Sequence, residues 1–473
     1  MGSLLAQSTP QGAARPSPAL TIRQTQEDFD LLRQAIEEAH GGLDRFVPRV
    51  ELDRRFTAHR ARLNQPMNTL TFAGIVAEAI AELRDGHAHL EWDSLTSAAL
   101  ADARVLPLRV QFEGERLVIL FNDAPGDSSL RPGMDVLRIN DRTIDELIGI
   151  LWPKVSGDGF IETGRRVRLA RTLPQLLWLF VAQSDSYAVV ARDDGGRSIT
   201  TVVPGLRERD RLAVTNPVNA VLAENSARLG GPPGNVALQF LADHGIARLR
   251  IRAFDGEGFP ATLDSAFRAL RDSGARALIL DLRGNGGGVD EYGALLVSYF
   301  AQQPFRYFDH IEVKTIAPSF ATWLPRTFDA LRAGTVPDPN GGFRVTPALH
   351  PGVGEQRPAS HPFLGRLVVL IDGGTFSTAA DVAAHLRSRG RATFIGEETA
   401  GTYEGNTSGL NALIVLPDSR LRLKIMMYGY WNAVVPPRSG GRGTLPDHVV
   451  VSRVADLLRG NDRALKLALE ASR

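Results

Sequence analysis

Three short stretches hold side chains of the types and spacings that chemistry requires. In "IDGGTFSTAADVAAHLRSRG" (371–390), Ser377 stands where an apolar run ends and a helical pattern begins. Ala379, Val382, Ala383 and Leu386 mark that helix's apolar side and Gly390 its stop. A serine at this position can cap the helix by accepting a free N–H. The same free N–H groups and positive dipole end suit an anion forming beside the serine oxygen, as when it attacks a carbonyl. The local pattern leaves both readings open.

The second stretch is "LILDLRGNGGGVDEYG", where an apolar strand pattern runs into Gly284, Gly286, Gly287 and Gly288. A dinucleotide fingerprint needs glycine at 289, which is Val289, and a phosphate loop needs a Lys-Ser/Thr pair that is absent. What remains is either a plain glycine-rich turn or a backbone that can approach another group closely and offer N–H donors, the requirement of an oxyanion hole. The third is "LRDGHAHLEWD", with Asp85, His87, His89, Glu91 and Asp93 at every second position. In a strand these would share one face. His87 and His89 could then ligate zinc, one imidazole could serve as a general base, or the face could simply be solvated. His40, His59, His244, His310, His350, His361, His385 and His448 form no comparable cluster. His385 lies two helical turns past Ser377, about 12 Å away, and is a poor base for it.

These residues must be positioned by a larger body. A chain of 473 residues, 43% hydrophobic, exceeds a single core and predicts two or three domains. The 54 basic and 53 acidic side chains give a net charge of +1, which argues against a nucleic-acid or polybasic membrane surface. With no cysteine there is no disulfide, thiolate nucleophile or cysteine-ligated metal. No apolar run approaches the about 18 residues of a membrane span. The polar, Pro/Ser-rich opening reads as a flexible leader over 1–25, the mature start of a periplasmic or secreted protein whose signal peptide has been removed.

Beyond the leader, apolar spacing of three and four (Phe29, Leu32, Ile36; Ile75, Ala79, Leu83) predicts a helical domain over 26–104. Short β-like runs ("RLVILF", "YAVVAR", "SITTVV") around one helical insert predict a compact β-rich domain over 105–205. From 206 to 473 strands such as "IARLRIRAF", "ALILDL", "LVVLID" and "ATFIG" alternate with helices near 261–272, 290–302 and 378–389. That alternation predicts a layered α/β core with buried, mostly parallel strands. The Pro/Gly-rich stretch from Ala333 to Pro362 reads as a long surface loop.

In this order, "LRDGHAHL", "ALILDLRGNGGG" and "TFSTAADVAAHL" resemble the serine peptidase family of the tricorn core protease and the C-terminal processing proteases. "GEETAGTYEGNTSG", "GRGTLPDHVVVS" and "GNDRALKLALE" are similar to its later landmarks, so the resemblance spans about 26–470. It implies a crotonase-like layered α/β core, an N-terminal helical domain, a PDZ-like domain over 105–205, and peptide-bond hydrolysis without metal or cofactor. C-terminal processing members carry a lysine base where this chain has Thr402. The resemblance therefore implies the tricorn-type arrangement: Ser377 as nucleophile as well as cap, and His87 as base, titrating near the ordinary value of about 6.5. It implies oxyanion donors at Gly286, Gly287 and Thr378. Glu404 is the first candidate for the acid that orients the imidazole and Asp85 the second, with Glu397 structural. Asp381 stands near where relatives carry a glutamate, and the PDZ-like domain lacks an obvious Gly-Leu-Gly-Phe type loop.

The implied partner is a short peptide or unfolded polypeptide. Two other readings stand beside this one, a metal-dependent hydrolase built on His87 and His89 and a non-catalytic ligand carrier on the same fold.

Overall fold

A computed structural model describes residues 19–241, 245–320, 325–435 and 440–473. Most of the expected leader, residues 1–18, lies outside the described residues, and residues 22–25 already belong to the first helix, Ile22–Ala39. That helix begins where Thr21 and Gln24 form a reciprocal capping box. It buries Phe29, Leu32 and Ile36, as their spacing predicts. Helices Arg49–Ala61 and Thr69–Ala81 follow, the latter capped by Asn68. The three pack into one core with the body of the chain: the Gly41 N–H donates to Met426 O at 2.8 Å.

The β-rich region forms an antiparallel sheet of Leu108–Glu113, Arg116–Asn122, Asp135–Ile139, Ser186–Arg192 and Ser198–Pro204. Its core is its own, built on Leu108, Ile119, Val136 and Val189. Two helices accompany this sheet, Ile144–Leu151 and Glu162–Phe180, where the sequence reading expects one. The longer one carries Leu169, Leu173 and Leu177 into that core on a helical period.

The α/β core holds a sheet ordered Val236–Phe240, Ile246–Ile251, Ala277–Asp281, Arg366–Ile371, Thr393–Gly396 and His448–Val449. Only its first pair is antiparallel. Alternate residues serve opposite layers. Leu278, Leu280, Leu367 and Val369 join the core containing helices Phe259–Asp272, Asp290–Ser298 and Thr378–Ser388, while Ile279, Val368 and Leu370 meet Ala464 and Ala468 of helix Arg463–Ser472. A second sheet built on Thr407–Val415, Arg422–Asn432 and Phe308–Val313 lies against the N-terminal helices.

The expected surface loop 333–362 is structured in part. Thr335–Pro337 pairs with Phe343–Val345, which extends that second sheet through Phe308–Val313. Gly341 and Gly342, both at positive φ, make the reversal between them, so the glycines that suggest a loop serve a hairpin instead.

One topological fact positions the chemistry. Ala277–Asp281 and Arg366–Ile371 are parallel neighbours, with Asp281 opposite Leu370. Their carboxyl ends therefore release the glycine loop and the Ser377 turn side by side.

Candidate active site

Ser377 precedes helix Thr378–Ser388 in the N-cap position, but its side chain makes no capping bond. Its backbone has φ +52° and ψ −132°, a conformation costly for a non-glycine residue by about 1–3 kcal/mol. The surroundings enforce it. The Phe376 N–H donates to Asn285 O at 2.9 Å, the Thr375 hydroxyl to Leu282 O at 3.0 Å, and the Gly284 N–H to Asp372 Oδ1 at 2.8 Å. The hydroxyl is thereby turned outward, where Nε2 of His87 lies 3.3 Å away.

The glycine loop presses against this turn. A Cβ on Gly287 would stand 2.6 Å from Ser377 Cβ, and one on Gly288 would stand 2.2 Å from Phe254 O, so neither position accepts a side chain. The expectation that Gly287 donates to an oxyanion is corrected by its hydrogen bond: its N–H already reaches Asn285 Oδ1 at 2.8 Å. The backbone at Gly288 is oriented by Phe254. The Phe254 N–H donates to Gly287 O and the Val289 N–H to Phe254 O. In a planar trans peptide the N–H points opposite to the C=O, so Gly288 N–H faces away from Phe254. It faces the side on which Gly288 O accepts from the Thr378 hydroxyl at 2.8 Å. The N–H groups of Gly286, Gly288 and Thr378 donate to no described residue.

Residues 85–89 form a turn, and the strand that follows spans only Leu90–Glu91. The shared face expected for Asp85 to Asp93 therefore does not form. His89 is exposed with Nδ1 2.8 Å from His87 O, and Asp93 caps helix Ser94–Asp102. Among the described residues, the possible ligand atoms that converge with His87 are those of Asp85 and Asp158, and His89 is not in that group.

His87 stacks on Phe376 with ring centroids 4.5 Å apart. Burial, only partly opposed by the charge of Asp85, pushes its imidazole down to about 4, so the ring is neutral at pH 7. Asp85 Oδ1 accepts the His87 backbone N–H at 2.7 Å and lies 3.8 Å from its Nδ1. Asp85 Oδ2 lies 2.9 Å from His40 Nε2. Because His40 Nδ1 accepts the Gly42 N–H at 3.2 Å, Nε2 is the protonated nitrogen and donates to Asp85. Burial works to raise the Asp85 carboxyl, but the hydrogen bond from His40, with that from the His87 backbone, outweighs it and holds it down to about 2.

A third buried acid, Asp158, comes from the β-rich region. Its Oδ1 accepts the Gly86 N–H at 2.6 Å. Burial first, and the charge of Asp85 second, push it up to about 7. His87 Nδ1 and Asp158 Oδ2 are both buried without a described partner. Asp85, His87 and Asp158 each offer an atom within 4.8 Å of the others.

Glu404, the first candidate for the orienting acid, is not brought to His87. Its Oε1 accepts the Gly441 N–H at 2.5 Å, and it lines a separate cavity of about 930 Å³ with Trp431 and Arg389. Glu397 lies beside Asp372, where burial and that neighbour raise it to about 7. Thr402 is buried and donates its hydroxyl to Gly405 O, closing a turn. Asp381 is buried between Asn432 and Asn406. His385, also buried, places Nε2 2.7 Å from Tyr307 O, far from any role at Ser377. Three further residues at the site, His40, Asp158 and Asn285, carry no chemical signal in the sequence. His40 and Asp158 belong to no motif, Asn285 lies within "ALILDLRGNGGG", and only the fold brings the three to the site.

Residues 245–449 match the model of peptidase family S41. No curated protein matches the chain. Among solved structures, mature CPAF complexed with lactacystin is similar at 15% identity and TM-score 0.66, covering 95% of this chain and 98% of that one. Mature CPAF by itself is similar at 14% identity and TM-score 0.64, covering 95% and 96%. A putative peptidase from Parabacteroides merdae is similar at 15% identity and TM-score 0.51, covering 96% of each chain. At these identities the likeness is one of fold.

Proposed function

We propose, from the premise that this chain is a serine-type peptidase of family S41, that it cleaves peptide bonds through an acyl-enzyme on Ser377 with His87 as base. The observation that carries this reading is the 3.3 Å approach of His87 Nε2 to the oxygen of a serine held at positive φ. Ser377 Oγ attacks the carbonyl carbon while its proton passes to Nε2. The oxyanion forms against the N–H groups of Thr378 and Gly288, with Gly286 open beside them. His87 then returns the proton to the leaving amine. A water, deprotonated by the same imidazole, releases the acyl group.

For His87 Nε2 to accept, Nδ1 must carry the hydrogen, and Asp85 is the carboxylate nearest to it. Asp85 is itself fixed by His40 and by the His87 backbone, so it serves as the orienting acid in place of Glu404. Asp158 holds the turn through Gly86 and adds a second negative charge when it ionises. The substrate is a short peptide or an unfolded segment, because the nucleophile, base and Asp158 come from three different regions of the chain and the base is recessed, its side chain only 17% exposed.

Incubation with a fluorophosphonate probe followed by intact-mass measurement tests the reading. One adduct on the parent protein and none on Ser377→Ala supports it. An unmodified parent protein that retains peptidase activity overturns it.

A further inference from the structure

Asp85 and Asp158 are each only 2% exposed, yet among the described residues neither forms an ion pair with an arginine or lysine. The ion-pair neighbours of Asp85 are His40 and His87, and Asp158 has none. Arg168 and Arg45 act on Asp158 and Asp85 through space, but their hydrogen bonds go elsewhere, from Arg168 to Gly86 O and from Arg45 to Tyr430 O. Two buried carboxylates at one place therefore lack a bound counter-cation, an arrangement that is costly for ionised groups.

His87 adds a third group. Asp85, His87 and Asp158 each offer an atom within 4.8 Å of the others, and His87 Nδ1 lies 3.8 Å from Asp85 Oδ1. His87 Nδ1 and Asp158 Oδ2 are buried with no hydrogen-bond partner. Zinc takes imidazole nitrogen and carboxylate oxygen at about 2.0–2.2 Å, so neighbouring ligands of a tetrahedral ion stand about 3.4 Å apart. Side-chain movements of about 1.5 Å or less bring the three groups to that spacing, with the fourth position left to water. One nitrogen and two carboxylates suit zinc, whereas magnesium and calcium take six or more oxygens.

We infer that Asp85, His87 and Asp158 form an inhibitory zinc site, in which the ion takes Nδ1 of the imidazole and withdraws His87 from Ser377. The inference rests on His87 as the base of Ser377. A neutral imidazole carries one hydrogen and one ring-nitrogen lone pair. Zinc on Nδ1 uses that lone pair and leaves the hydrogen on Nε2, the nitrogen 3.3 Å from Ser377 Oγ. Nε2 then has nothing with which to accept the serine proton. The ion also draws Asp85 from its orienting role. Zinc binding and acyl transfer exclude each other, and release of the ion restores the base.

Calorimetric titration of the full-length protein with zinc chloride, paired with fluorophosphonate labelling, tests the inference. The parent protein should bind one zinc ion that His87→Gln and Asp158→Asn each weaken by at least about tenfold, since even groups that only support metal ligands contribute on that scale. His89→Ala should bind zinc as the parent does. With zinc at ten times its Kd, labelling of Ser377 should slow about tenfold, because only the zinc-free protein reacts. A chelator should restore the rate, and magnesium or calcium should not slow it. Labelling unaffected by bound zinc, binding unchanged in both His87→Gln and Asp158→Asn, or slowing that a chelator fails to reverse would overturn the inference while leaving the serine reading intact. Failure of the zinc-free parent protein to label would instead remove the reading on which it rests.

Discussion

Nε2 of His87 and Oγ of Ser377 lie 3.3 Å apart across 290 residues of sequence, and the serine reaches this contact by forgoing the bond expected of its position. An N-cap serine ordinarily turns its oxygen back onto the N–H groups of the helix. At φ +52° Ser377 makes no such bond, and its hydroxyl faces the imidazole.

That strain separates two variants that both lack the hydroxyl. Ser377→Ala and Ser377→Gly should each lower turnover by at least about 10³-fold. Glycine tolerates the backbone angles and alanine does not, so Ser377→Gly should be the more stable of the two by about 1–2 kcal/mol. Denaturant titration of both proteins checks this, and equal midpoints would mean that the turn relaxes once the hydroxyl is gone.

The two histidines of "DGHAHL" should behave differently. His87→Ala should remove nearly all turnover, by about 10³-fold or more, while His89→Ala should cost less than about tenfold in kcat, since its ring is exposed and only its Nδ1 touches the turn. Steady-state kinetics on one peptide decides between them. Equal losses would return His89 to the chemistry.

Acid tolerance follows from burial of the base. A catalytic base acts when unprotonated, and His87 is pushed down to about 4. Activity should therefore persist at pH 5 and fall only as pH drops through about 4, lower than the limb near 6.5 expected from sequence. Asp158 is raised to about 7. Its ionisation places a negative charge near the imidazole and favours proton transfer to it, so kcat/KM should rise again as pH increases through about 7. The pH profile of Asp158→Asn should keep the lower limb and lose the upper one.

Asp85→Asn should leave the hydrogen-bonded turn nearly isosteric while removing the charge that favours hydrogen on His87 Nδ1. We expect kcat to fall by about 10²-fold or more with little change in KM. Glu404→Gln should retain activity within about tenfold. The reverse ranking in steady-state kinetics would restore Glu404 as the orienting acid.

Elements and the position of Ser377 at a helix start were legible in the sequence because their causes are local. The apolar alternation of "ALILDL" and "LVVLID" marks buried strands, and the periodicity of Ala379, Val382, Ala383 and Leu386 marks the helix. The glycines at 287 and 288 announce a backbone too crowded for side chains, and the structure contains that crowding. Residues 333–362 misled because turn-forming composition is shared by surface loops and tight hairpins, and only pairing with Phe308–Val313 distinguishes them.

What composition and spacing determined was which stretches form the core and which residue types are available for acyl transfer. What only the tertiary structure decided was partnership. Asp85 to Asp93 alternate as a strand would, yet a turn at 85–89 separates His87 from His89, because backbone direction there is set by packing of helix Thr69–Ala81 and by Asp158 from the neighbouring region. Glu404 is near Ser377 in sequence but is held by Gly441, while His40, without any motif, fixes Asp85. Hydrogen bonds and charges act over a few ångströms of space whatever the chain distance, so the residues that orient and tune His87 are chosen by the fold.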